Sequence, residues 1–140
     1  MKSKQTEQKR TFVLRLERGE ETISSLSIFS KENNIHGASV QGIGALSYAR
    51  LYSVINSEEF SAKEESFEKP MELISALGNI SMGENREPII HFHVVLGLED
   101  KSSVVGHLLE GKISFTGEFI IQELGEIKKK KEGKLNLLNI

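Results

Sequence analysis

The segment Pro88–Leu98 constrains the fold of this chain most strongly, because it places two histidines inside an apolar run. Aliphatic residues on both sides of these histidines predict a buried β-strand. Side chains along a strand alternate between the two faces of a sheet, so His91 and His93 should emerge on one face with Cα atoms roughly 6.5 to 7 Å apart. Two imidazoles at that spacing can converge on one metal ion.

A third histidine follows after a polar turn. If residues 99–102 close a hairpin centred on Asp100, paired residues have numbers that sum to 200, and His107 lies opposite His93 on the same face. A two-residue turn at Asp100 and Lys101 would change the sum to 201 and direct His107 to the other face. A three-histidine site therefore requires a loop with an odd number of residues.

The size and composition of the chain limit the other possibilities. With 140 residues the chain suits one domain with one core, which we expect over residues 10–140 after a flexible tail at residues 1–9. No cysteine is present, which excludes disulfides, zinc–thiolate sites and thiol catalysis and favours a cytoplasmic location. No apolar run approaches the ~20 residues that would span a bilayer, so we expect no membrane association.

Most of the chain has the alternating pattern of β-strands, with one helical segment. The helix should extend from Glu20 to about Asn33, because its apolar residues recur at helical spacing and acidic residues stand at its start. The expected strands cover residues 10–17, 35–46, 46–55, 71–81, 88–98, 104–110 and 112–124. The polar segment 56–69, with Phe60 and Phe67 as apolar anchors, predicts a loop or a short edge hairpin. The pattern indicates an α+β fold with a mostly antiparallel sheet.

Three further features receive non-catalytic interpretations. Gly42 and Gly44 lack the third glycine of a nucleotide loop and precede a strand pattern, so they predict a bulge or a close backbone approach. His36 stands alone at the start of a strand and is assigned no ligand role. The run Lys128–Lys131 lies between two glutamates and predicts a solvated connector, after which residues 133–140 could pair as a last strand.

The order of these segments resembles the plant and prokaryote conserved (PPC) domain from about Arg10 to Leu138. The matching stretches are Val13–Glu20, Gly42–Ala45, Met71–Ser75, His91–His93, Val105–Gly111 and Gly133–Leu138. The resemblance implies a strongly bent, mixed but mostly antiparallel sheet with one main helix, and a homotrimer. It also implies a fold similar to acetolactate decarboxylase, which holds zinc with three histidines, and therefore His91, His93 and His107 as metal ligands.

The chain departs from the family pattern in two respects. Val105 stands where the family commonly has glycine, so the close backbone approach that glycine permits is not expected at position 105. The chain also has no Arg-Gly-Arg-Pro AT-hook, the element associated with DNA binding in plant members. With a net charge of −2, the protein has no overall positive field, so DNA is expected to be at most a weak partner.

Two functional classes remain open. The first is a homotrimeric PPC module with a divalent metal, zinc first, on His91, His93 and His107. The second is a small metal-dependent enzyme, similar to a lyase or decarboxylase, that acts on a small anionic substrate. For that class the resemblance makes Glu72 the candidate acid or base, although a salt-bridged strand residue is the alternative. Glu110 is a poorer candidate, because the expected register directs it away from His107.

A third interpretation of the histidines involves no metal. They would then be partly buried polar residues, hydrogen-bonded to the backbone or to one another across a subunit interface.

Overall fold

The dominant feature of the computed structural model, which describes residues 1–56, 61–133 and 135–140, is one strongly curved sheet. The elements are β1 (Thr11–Glu17), α1 (Thr22–Glu32), β2 (Gly37–Asn56), β3 (Ser61–Phe67), β4 (Met71–Met82), β5 (Pro88–Gly97), β6 (Ser103–Glu123), β7 (Lys129–Glu132) and β8 (Leu135–Leu138). Six strands form the sheet in the order β1-β6-β5-β4-β2-β3, and β7 pairs with β8 as a separate hairpin. The predicted α+β architecture with one main helix is confirmed.

The curvature of the sheet comes from its two longest strands, β2 and β6. The first half of β2 pairs with β4 and its second half with β3, while β6 follows the other edge of β2. Because β6 also pairs with β5, the sheet curls back on itself. All these ladders are antiparallel, and an isolated parallel bridge joins Met82 to Lys128. A register shift at Gly42–Gly44 confirms the predicted irregularity, since a Cβ on Gly44 would lie 2.3 Å from the Thr116 carbonyl oxygen.

One hydrophobic core fills the inner side of this curved sheet. Phe92 and Phe119 are fully buried there, together with Leu26 from α1. The helix begins where the Glu21 carboxylate accepts hydrogen bonds from the backbone nitrogens of Ile23 (3.0 Å) and Ser24 (2.7 Å), which satisfies two of its free N–H groups. Since the core takes the inward-facing side chains, the outward face of the sheet is available for a functional site.

Three sequence expectations about the elements are wrong. The segments 35–46 and 46–55 form one strand, β2, which continues through Leu46. The segments 104–110 and 112–124 are one continuous strand through Gly111. Register shifts in its pairing with β2 allow the strand to continue past this glycine. The run Lys128–Lys131 is not a solvated connector: Lys129 begins β7, which pairs with β8, and is only 6% exposed. The expected last strand is confirmed as β8.

The predicted edge hairpin is confirmed for its described part, because β3 pairs antiparallel with the end of β2. Phe60 lies outside the described residues. Residues 1–10 have no regular secondary structure, although the Lys9 backbone nitrogen donates to the Glu123 carbonyl oxygen at 2.8 Å. Within the described ranges, no helix has the length and apolar character needed to cross a bilayer.

Candidate metal centre

The β5–β6 hairpin has the register that a three-histidine site requires. His93 pairs with His107 and Val94 with Gly106, so that paired numbers sum to 200. The loop has an odd number of residues between Leu98 and Ser102, where the Leu98 backbone nitrogen donates to the Ser102 carbonyl oxygen at 2.9 Å. The Asp100 carboxylate accepts from the Ser102 backbone nitrogen at 3.0 Å inside the turn. This turn therefore sets the face on which His107 emerges.

The three histidines lie together on the outward face of the sheet. One ring nitrogen from each of His91, His93 and His107 lies within 4.8 Å of the others. The ring centroids are 5.2 Å apart for His91 and His93, 4.8 Å for His91 and His107, and 5.6 Å for His93 and His107. Tetrahedral zinc holds its nitrogens at about 2.0 to 2.1 Å, hence about 3.4 Å from one another. Modest rotation of the rings would therefore bring the group to coordination distance.

An unpaired ring nitrogen of His107 favours a bound ion. Its Nδ1 atom is buried and has no hydrogen-bond partner among the residues that the structure describes. Tyr52, opposite it on β2, stacks on the imidazole with ring centroids 4.3 Å apart and the planes inclined by 22°. A buried polar atom without a partner costs about 1 to 3 kcal/mol, which metal coordination would offset. Three imidazoles without thiolates are a donor set that suits a divalent ion such as zinc.

The electrostatics keep two of these imidazoles neutral. Burial lowers the pKa of His91 to about 4, with the positive charge of Lys129 and the neighbouring His93 acting in the same direction. Burial also lowers the pKa of His107 to about 4, assisted by His91, His93 and Lys129. Neutral imidazole is the form that ligates a metal, so both side chains have that form at neutral pH.

Two polar residues beside the histidines were missed by the sequence analysis. The Lys129 ammonium nitrogen lies 3.3 Å from His91 Nδ1, and burial lowers the pKa of this lysine. Asn79 pairs directly with His91 across β4 and β5, and its Oδ1 atom is buried with no hydrogen-bond partner in the described part of the chain. The lysine was hidden in a basic run, and Asn79 could be found only from the β4–β5 register.

Glu72, the predicted acid or base, lies away from this group. It pairs with Gly97, four residues beyond His93 on β5, which is about 13 Å along the strand. The structure therefore does not bring Glu72 to the histidines, and its catalytic role stays a prediction. His36 is exposed and is not part of the three-histidine group.

The expected orientation of Glu110 is wrong. A register shift between Arg50 and Leu51 on β2 pairs Arg50 with Glu110 and Tyr52 with His107. Arg50 and Tyr52 are two residues apart and face the same side, so Glu110 shares the outward face with His107. An Arg50 guanidinium nitrogen donates to the Glu110 carboxylate at 2.9 Å.

Several solved structures share this architecture over nearly their whole length. A plant- and prokaryote-conserved (PPC) protein from Pyrococcus horikoshii is 31% identical, with a TM-score of 0.90 and coverage of 100% of this chain and 98% of that one. A metal-containing protein from Archaeoglobus fulgidus is 28% identical, with a TM-score of 0.87 and coverage of 99% and 97%. A protein from Bacteroides thetaiotaomicron, described provisionally as DNA-binding, is 26% identical, with a TM-score of 0.85 and coverage of 96% of each chain.

The fold extends to a more distant protein, as the PPC resemblance implied. A Staphylococcus aureus protein of unknown function, similar to alpha-acetolactate decarboxylase, is 12% identical with a TM-score of 0.53 over 89% of this chain and 55% of that one, which shows a shared fold alone. No curated protein sequence matches the chain. The family model for the Plants and Prokaryotes Conserved (PCC) domain matches residues 3–125. The chain therefore belongs to the Plants and Prokaryotes Conserved domain family, which the PPC resemblance had indicated.

Proposed function

We propose that this chain is a homotrimeric PCC-domain protein in which His91, His93 and His107 bind one divalent metal ion per chain. The observation that carries the proposal is the convergence of three ring nitrogens within 4.8 Å of one another. Zinc ranks first because the ligands are imidazoles without thiolates, although nickel, copper and iron accept such sites too. The relative from Archaeoglobus fulgidus, which is described as containing metal, supports this proposal.

Each residue of the centre has a distinct role in this proposal. Three protein ligands leave a coordination position for water or a small ligand, to which the ion supplies Lewis-acid polarisation. Tyr52 holds the His107 ring in one plane by stacking on it. His93 is the exposed member of the group, so a small molecule would approach from its side.

The trimer is supported by an apolar surface on the outward face of the sheet. The exposed fraction of its side chains runs from 39% for Ile120 to 75% for Phe115. We call this set the apolar surface: Ile43, Ile74, Leu77, Phe115 and Ile120. Contiguous exposed apolar side chains are typical of protein interfaces, and further copies of the chain would cover them. Leu77 pairs directly with His93, so such an interface would adjoin the metal centre.

DNA is a weak candidate partner in this proposal. The provisional description of the Bacteroides thetaiotaomicron relative favours DNA binding. However, two of the lysines in the only long basic run are paired locally, Lys128 with Glu126 at 3.1 Å and Lys130 with Glu132 at 2.9 Å. We therefore expect sequence-independent contact with DNA at most. The proposed location is the cytoplasm, because the chain contains no cysteine.

A second candidate function is a small metal-dependent enzyme, similar to a lyase or decarboxylase, with a small anionic substrate. The ammonium of Lys129 beside His91 favours it, because a cation at a metal centre attracts an anionic ligand. Glu110 shares the outward face with His107, but its ion pair with Arg50 reduces its value as a proton acceptor. Glu72 lies too far from the histidines in the single chain to exchange a proton with a ligand of the ion.

Native mass spectrometry of the untagged protein tests the main proposal, because it measures subunit number and bound metal together. We expect an assembly of three chains that carries three divalent ions. A monomer at micromolar concentration would contradict the trimer, and a trimer without metal would contradict the metal centre.

A further inference from the structure

We propose that Lys129 and Asn79 form an anion subsite beside the three histidines, which binds the carboxylate of a small hydroxy acid. The ammonium of Lys129 would bind the carboxylate, and the amide oxygen of Asn79 would accept a hydrogen bond from the hydroxyl group. This inference rests on the proposed metal centre and specifies the chemistry of the ligand that would take its open position.

The first support is the lack of an anionic partner for Lys129. Its side chain is almost completely buried, yet no carboxylate in the described part of the chain lies within ion-pair distance of its ammonium nitrogen. The neighbouring lysines differ, since Lys128 pairs with Glu126 and Lys130 with Glu132 at the surface. Buried charges in folded proteins are normally compensated by an opposite charge. An external anion would supply the compensation that the chain does not.

The second support is the position of this ammonium group. Its nitrogen lies 3.3 Å from His91 Nδ1, at the margin of the three-histidine group. A ligand in the open coordination position of an ion held by the histidines would therefore be within reach of Lys129. One carboxylate between the ion and the ammonium would interact with both positive charges, and charge-assisted hydrogen bonds of this kind are the stronger ones in proteins.

The third support comes from Asn79 on the neighbouring strand. Asn79 pairs directly with His91, which puts their Cβ atoms about 4.5 to 5.5 Å apart on the same face. Its buried Oδ1 atom accepts no hydrogen bond from the residues that the structure describes. An acceptor of this kind selects a ligand with a hydrogen-bond donor, because leaving it unpaired is costly. A carboxylate with a nearby hydroxyl satisfies both Lys129 and Asn79.

Calorimetric titration with glycolate, which has one carboxylate and one hydroxyl, tests the subsite. In zinc-loaded protein, Lys129→Met should weaken glycolate binding at least about tenfold. Methionine has a side chain of similar length but no charged hydrogen-bond donor. Lys130→Met is the matched control, since it removes the adjacent, ion-paired lysine, and it should leave the affinity unchanged. Acetate, which lacks the hydroxyl, should bind more weakly than glycolate to the wild-type protein.

A second variant keeps the subsite testable if Lys129→Met does not fold. Asn79→Asp introduces a carboxylate opposite His91 and should suppress glycolate binding while zinc is retained. Equal glycolate affinity in the wild type and Lys129→Met, both loaded with zinc, would overturn the subsite. Inorganic phosphate that binds as tightly as glycolate, and equally through Lys129, would overturn the assignment of a carboxylate.

The same titrations separate this inference from the proposed function. A wild-type protein that holds no zinc contradicts the metal centre. Glycolate titrations of the metal-free wild type and of metal-free Lys129→Met then decide the subsite by themselves: a Lys129-dependent affinity supports it, and equal affinities overturn it.

Discussion

The two ends of the outward face of the sheet differ in which side chains lack a partner. At the histidine end the side chains are polar, and two of their atoms, His107 Nδ1 and Asn79 Oδ1, are buried with no partner among the described residues. The apolar surface adjoins the histidines at Leu77 and extends to the other end, where Phe115 and Ile74 are well exposed. A bound ion or small ligand can satisfy unpaired buried polar atoms, whereas a contiguous exposed apolar surface is typical of a protein interface. The proposed function places ligand binding at the histidines and self-association at the apolar surface.

Glu72 belongs to the second of these ends. It lines a hollow of about 480 Å³ together with Ile43, Ile74 and Phe115, away from the histidines. At the histidine end, by contrast, Lys129 extends to His91 from β7. The acid that the resemblance favoured therefore adjoins the proposed interface, and the lysine that the sequence analysis had assigned to solvent adjoins the proposed metal.

The largest effect should follow from removing one ligand at the histidine end. We expect His93→Ala to weaken metal binding more than about 100-fold, because two remaining imidazoles rarely hold zinc against solvent. Elemental analysis after dialysis measures this loss. His36→Ala is the matched control, because His36 is exposed and lies outside the group. Full retention by His93→Ala, or equal loss in both variants, would show that the ligands are assigned incorrectly.

The next largest effect concerns the apolar surface. Phe115→Glu should shift the protein from trimer to monomer at micromolar concentration, because each buried phenylalanine contributes about 1.5 to 3 kcal/mol and the new carboxylates would repel. Sedimentation equilibrium gives the mass. Ile28→Glu is the control, since Ile28 is 56% exposed on α1. A Phe115→Glu protein that remains trimeric, or an Ile28→Glu protein that dissociates, would break the proposed division between the two ends.

A smaller effect is expected from pH on the metal-free protein. The pKa values of His91 and His107 are about 4 in the folded chain, against about 6.5 for an unfolded histidine. Between these values the unfolded chain binds more protons, so the free energy of unfolding should fall as the pH drops from about 6.5 to about 4. Thermal unfolding followed by circular dichroism at several pH values measures this fall.

The pH prediction has its own control and extends to the metal. His107→Phe should make the dependence shallower, because it removes one of the two titrating groups, whereas His36→Ala should not. In the metal-loaded wild type, neutral imidazoles should keep the ion bound at pH values where an ordinary histidine is already protonated. An unfolding temperature that stays constant between pH 6.5 and pH 4.5 would contradict the shifted pKa values.

The smallest effect should be DNA binding, because the net charge is −2 and two lysines of the basic run are paired with glutamates. We expect dissociation constants on the order of micromolar or weaker at physiological salt, without sequence preference. A gel-shift assay with unrelated duplexes measures both properties. Nanomolar, sequence-selective binding would show that a nucleic-acid site exists elsewhere on the protein.

The sequence predicted those features that depend on local patterns. The shared face of His91 and His93 followed from the alternation of side chains, and the helix followed from its periodicity and its acidic start. The pairing of His93 with His107 also needed an odd loop, which the sequence allowed but did not distinguish from a two-residue turn. Features that depend on distant pairing were missed. Lys129 is buried because β7 runs beside the end of β4, where Lys128 bridges Met82, and this contact has no local signal. The orientation of Glu110 was missed because the register shift depends on β2.

Elemental analysis of wild-type protein purified without an affinity tag tests the central claim most directly. The proposed three-histidine centre predicts about one divalent ion per chain, mainly zinc, that survives dialysis at neutral pH. A metal content far below one ion per chain, in protein prepared from zinc-replete cells, would contradict the claim that His91, His93 and His107 form a metal centre.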